Sequence, residues 1–176
     1  MMLNRLALFL GAFGLIATSG VALSADAPIN DAQIAHIAYT AGVIDVAAGR
    51  QALTKSKNKA VRAFAEEMVR DHQAVNDQAL ALVKKLGVTP QDNPTSIALN
   101  KQAATEHDTL AKLSGTAFDR AYVANEVAFH RTVNGALKGT LIPGAHNAEL
   151  KSLLQTGLTL FSEHQTHAEH LAASLK

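Results

Sequence analysis

The chain predicts an all-α fold, a bundle of four long helices with a shorter fifth, and three observations carry that expectation. Apolar residues recur at helical spacing through almost everything after residue 30. The alternating β-branched runs that would mark strands are missing. One stretch, GVTPQDNPTS at residues 87 to 96, interrupts the pattern with two prolines and several turn formers.

The first helix is expected to start at an Asn30 or Asp31 cap and to run to about Ser56, with Ile34, Ile37, Ala41, Ile44, Ala48 and Ala52 on one face. The second starts after Asn58 and ends at Gly87, a residue suited to the left-handed position beyond a helix end. Its Val61, Ala65, Met68, His72, Val75, Ala79, Leu82 and Leu86 follow the spacing of a packed bundle seam. A shorter helix, about Ser96 to Leu113, follows the break. The third long helix spans about Thr116 to Lys138 and stops before Gly139 and a Pro143-Gly144 turn. The fourth fills about Asn147 to Leu175 and carries Leu150, Leu153, Leu160, Phe161, Ala168 and Leu171 inward. A short helix between the second and third long ones reads as a crossover that lets those two run parallel, as in ferritin-like bundles. A plain up-down five-helix arrangement is the alternative.

The start of the chain, MMLNRLALFLGAFGLIATSGVALSADAP, has a lone Arg5, an apolar run and then small residues, the layout of a secretory signal peptide. Residues 1 to 25 are therefore expected to be removed, with cleavage between Ala22 and Ala25, leaving a bundle domain over residues 30 to 175 in the periplasm. An uncleaved anchor is the competing reading, disfavoured because Gly11, Gly14, Thr18 and Ser19 interrupt the apolar run. Removing that segment takes away Arg5 and no other charge, so basic and acidic side chains become equal in number. Near neutrality argues against nucleic acid as a partner, and striped helices with polar backs argue against stable membrane insertion after cleavage. The chain has no Cys, which excludes disulfides, thiolate ligands and a lipid-modified anchor together. Hydrolase readings find no support, because neither a Gly-x-Ser-x-Gly elbow nor a phosphate loop is present.

The apolar stripes contain polar residues. In FDRAYVANEVAFH, residues 118 to 130, Phe118, Tyr122 and Phe129 share one side of a helix, with Glu126 in their midst and His130 and Asp119 flanking it. By the same rotation Asp45 falls inside the first stripe and His72 on the second, with Asp71 beside it. His164 is central on the fourth, His167 lies at its edge, and His36 and His170 point away. Counting turns brings Asp45 level with Asp71, His72 and His130, and puts His164 nearer Tyr122 to Glu126.

Buried charges must neutralise, pair or bind a cation, since each costs several kcal/mol when isolated. Asp45, Asp71, His72, Glu126, His130 and His164 are therefore candidate ligands for one transition-metal ion, Zn, Cu, Mn or Fe. The alternative is a His–carboxylate network that only stabilises the fold, in an envelope protein that binds a protein partner through its surface. The chain contains no Glu-x-x-His, so an oxygen-activating di-iron centre of the bundle type is not expected, and a non-enzymatic role is favoured.

The run AGVIDVAAGRQALTKSKNKAVRAFAEEMVRDHQAVNDQAL, followed by FDRAYVANEVAFH and a final helix with His164 and Ala168, resembles the bacterial family called domain of unknown function 4142. The likeness spans about residues 30 to 173 and rests on the RxFAxxMVxDH and FDxxYxxxxVxxH pieces. It implies a ferritin-like bundle, exported to the periplasm or outer membrane, with no established activity. The family's Asp-His pair falls on Asp71 and His72, its Phe-Asp and Tyr on Phe118, Asp119 and Tyr122, and its later histidines on His130 and His164. Where the family pattern leads one to expect Glu in the first helix, this chain has Asp45.

Overall fold

The structure is a computed structural model that describes residues 29–175, so the expected signal peptide lies outside the described residues. Five helices account for most of it: α1 (Asp31–Lys55), α2 (Lys59–Lys85), α3 (Pro94–Ala111), α4 (Gly115–Ala136) and α5 (Ala148–Ser174). Four of them start at an asparagine. The side chains of Asn30, Asn58, Asn93 and Asn147 each accept from backbone N–H groups of the first turn, which satisfies donors that have no partner within the helix. At the other end of α2, Gly87 takes φ +64°. There the N–H of Val88 reaches Val83 O and that of Gly87 reaches Lys84 O, the paired bonds of a Schellman stop.

The end of α4 departs from expectation. The helix does not stop before Gly139 but continues through a π-helical turn, Leu137–Leu141, and a further turn, Ile142–Gly144. The wider turn has more than four residues per revolution, so Leu137 and Leu141 both face inward and are buried. Pro143 follows the π turn within this continuous helical run, where its missing N–H removes one bond to the preceding turn. Besides His164, the buried residues of α5 are Leu150, Leu154, Gly157, Phe161, Ala168 and Leu171, so Leu154 and Gly157 take the place expected for Leu153 and Leu160.

Hydrogen bonds between helix ends fix the topology. The Asp31 carboxylate accepts from the N–H groups of His146 and Asn147 at 2.8 Å each, placing the starts of α1 and α5 together. Lys85 and Glu149 meet at 2.6 Å, which brings the end of α2 to the same pole. At the opposite pole the Lys55 ammonium donates to Ala111 O, and Arg120 donates to Leu175 O. α2 and α4 therefore run parallel, and α3 carries the chain from one pole to the other between them. α1 packs beside α2, α2 beside α5, α5 beside α4 and α4 beside α1, with α3 outside against α1. The result is an all-α bundle of four core helices plus a crossover helix.

Two apolar clusters fill it. One pole holds Val61, Phe64, Ala65, Met68, Phe118, Tyr122, Val123, Ala168 and Leu171. The other holds Ile34, Ile37, Leu137, Leu141, Leu150, Leu154 and Phe161. Among the described residues, no helix is long and apolar enough to cross a membrane.

Candidate metal centre

Between the two clusters lies a polar waist to which every core helix contributes. Asp45 comes from α1, His72 from α2, Glu126 and His130 from α4, and His164 from α5, and each is 3% exposed or less. Ligand-capable atoms of His72, His130 and His164 lie within 4.8 Å of one another, as do those of Asp45, Glu126 and His130. Asp45 Oδ2 is the meeting point, 3.4 Å from His72 Nε2 and 3.6 Å from His130 Nε2. Those separations are long for hydrogen bonds. They are close to the roughly 3.3 Å edge of a tetrahedron whose centre lies about 2.0 Å from each donor.

The rings are held from behind. His130 Nδ1 lies 3.0 Å from the backbone oxygen of Glu126, one turn earlier, which can only accept. The proton of a neutral ring therefore sits on Nδ1, and the Nε2 lone pair faces Asp45. His72 is stacked on Phe161 at 4.4 Å between ring centroids and 10° between planes, and its ring lies 5.5 Å from that of His130 and 5.3 Å from that of His164. Both Asp45 oxygens, both His72 nitrogens, His130 Nε2, Glu126 Oε2 and His164 Nδ1 have no hydrogen-bond partner in the protein.

Burial governs the charge states. It pushes the Asp45 carboxyl up to about 8, and burial together with the Asp45 charge drives Glu126 well above the usual carboxylate range. It lowers His130 to about 4 and, with the neighbouring imidazoles, takes His72 well below its ordinary value. Burial also lowers His164, and it lifts the Tyr122 phenol, assisted by the Glu126 carboxyl. Near neutral pH burial thus favours neutral imidazoles and protonated carboxyls at the waist.

Five of the six expected residues thus converge. His164 joins the other two imidazoles, which corrects the turn count that set it apart near Tyr122. Asp71 stands outside the inner group: its Oδ2 lies 3.1 Å from His164 Nε2 on the solvent side, and Arg70 grips the same carboxylate at 2.7 and 3.0 Å. Three residues invisible as site members in the sequence belong here. Phe161 is the floor beneath His72, Asn134 donates to Phe161 O at 3.1 Å, and Glu67 forms a second, outer group with Asp71 and His164. Glu67 looked like one more exposed charge on α2, and the signal that could have found it is its place one turn before Asp71, on the same face. His36, expected to point away, lies far from the waist near the start of α1, 3.4 Å from Asp92 just before α3.

These features define a class: a helical bundle whose interior carries His and carboxylate donors able to hold a metal ion. The chain matches the family model described as domain of unknown function (DUF4142) over residues 17–171, and it belongs to that family. No curated protein and no solved structure matches it.

Proposed function

We propose that this chain is exported to the periplasm and holds one transition-metal ion at the waist of its bundle, in metal handling or protection against metal stress rather than in catalysis. One observation carries the reading. Donor atoms of four helices point at one another unpaired, with two imidazole nitrogens and a carboxylate oxygen spaced like the corners of a coordination shell. A network that served only the fold would pair those atoms, because each buried orphan costs about 1–3 kcal/mol. A divalent ion instead balances two ionised carboxylates, Asp45 and Glu126, and gives neutral imidazoles the partner their lone pairs lack. Imidazole donors with one or two carboxylates suit Zn, Cu, Mn or Fe.

The export half of the reading rests on the signal-like start of the sequence. Anaerobic purification followed by elemental analysis tests the metal half. The expected result is about one equivalent of a transition metal, and in the stripped protein a gain on adding Zn(II) of about 2.7 kcal/mol at a hundredfold excess over Kd. Neither metal in the protein nor a shift in melting with Zn, Cu, Mn or Fe would sink the proposal in favour of the structural network.

A further inference from the structure

The waist is sealed, with its five donor residues nearly inaccessible, yet an ion has to reach it. One side of the bundle, between α2 and α5, offers a graded path. Glu67 and Asp71 are one turn apart on α2, and His164 and His167 are neighbours on α5. Their side chains are 30%, 17%, 1% and 47% exposed, so donors extend from solvent to the interior. Ligand atoms of Glu67, Asp71 and His164 come within 4.8 Å of one another, and Glu67 Oε2 is 2.7 Å from His167 Nδ1. His164 belongs to both groups. Its Nε2 faces Asp71 at 3.1 Å, while its buried Nδ1 has no partner and the ring lies 5.3 to 5.5 Å from His72 and His130.

Arg70 completes the picture. Consecutive helix residues do not share a face, so its guanidinium must fold back to grip Asp71 with two hydrogen bonds. It is 69% exposed, and such a surface pair is worth little. Arg70 therefore covers a carboxylate that a divalent cation could claim once the guanidinium swings into solvent.

We propose that Glu67, Asp71 and His164 form an outer divalent-cation site that loads the interior centre, with Arg70 as its gate; this rests on the interior-metal reading above. The carboxylates capture the hydrated ion, and His164 is the first imidazole to replace its water on the way to His72 and His130. Asp71 acts on the rate at which the centre fills and empties, not on how tightly it holds.

The test is stopped-flow loading of the metal-stripped mature protein with Co(II), whose visible absorption reports its arrival among buried nitrogen and oxygen donors. Equilibrium affinity is measured in parallel, and circular dichroism establishes that each variant is folded. Glu67→Gln with Asp71→Asn is expected to slow loading and release alike by about tenfold, leave Kd within about threefold and flatten the fall of loading rate with added salt. Arg70→Ala is expected to speed loading at unchanged Kd. Unchanged rates in the double variant overturn the port, and a Kd that weakens as much as the rate slows makes Asp71 an interior ligand and overturns it too. No acceleration in Arg70→Ala overturns the gate. Wild-type protein that takes up no Co(II) defeats the interior-metal reading itself, a result distinct from normal uptake at an unaltered rate in the double variant.

Discussion

Asp45 carries the largest consequence at the scale of single residues. In the metal-free fold its carboxyl is raised from 3.8 to about 8, so across that interval the folded chain binds a proton that the unfolded chain releases, and stability falls as pH rises. His130, lowered from 6.5 to about 4, acts the opposite way, but only below 6.5, and the depressed His72 and His164 act in that same lower range. Between pH 6.5 and 8 the carboxyls act alone. Across that interval the Asp45 proton by itself is expected to cost the stripped protein about 2 kcal/mol, and the raised Glu126 adds to the loss, as read by urea unfolding. Asp45→Asn with Glu126→Gln keeps the shapes of the neutral groups, flattens that slope and ends metal binding; a slope that persists in this variant refutes the assignment. Asp45, His72, Glu126 and His130 were legible in the sequence because a residue's direction on a helix follows from its number alone. Whether Asp71 faced the interior or the rim was not, since it flanks the seam and its partners Arg70 and His164 decide the matter.

At the scale of elements, helix starts were legible because asparagine caps act locally, on N–H groups two or three residues away. Ends and registers were harder. Gly139 reads as a stop, but burying Leu137 and Leu141 favours a widened turn that carries the helix past it. Counting turns also misplaced His164 and chose Leu153 over Leu154 on α5, because the depth and rotation at which one helix packs beside its neighbours are set by side-chain packing and not by residue number. Glycine gives a paired prediction here. A Cβ on Gly49 would lie 2.9 Å from Val69 Cγ2 and 3.1 Å from Ala65 O, so Gly49→Ala wedges α1 off α2 and costs about 1–3 kcal/mol. Gly135 in α4 has nothing within 4 Å, so Gly135→Ala stabilises by about 0.5–1 kcal/mol through helix propensity. Denaturant midpoints of the two variants moving the same way would contradict this account of α1–α2 packing.

At the scale of the whole molecule, the waist separates two apolar clusters that are otherwise joined mainly by the helices running through both. An ion bound by four helices ties those halves together, so Zn(II) is expected to slow amide exchange on α1, α2, α4 and α5 together. Slowing confined to a single helix would mean that the ion sits elsewhere. The short helix between α2 and α4 suggested a crossover with those two parallel, but left a plain up-down arrangement open, and which helices became neighbours depended on packing that no local pattern records. Asp45 lies on the first helix of the bundle and His164 on the last, and this has a bearing on biosynthesis. During synthesis the donor set stays open until α5 has docked, and until then the only two of its donors on one helix are Glu126 and His130 of α4. If the waist holds an ion as proposed, the choice of metal is deferred to the surroundings in which the bundle closes, and the local supply there decides which ion is kept.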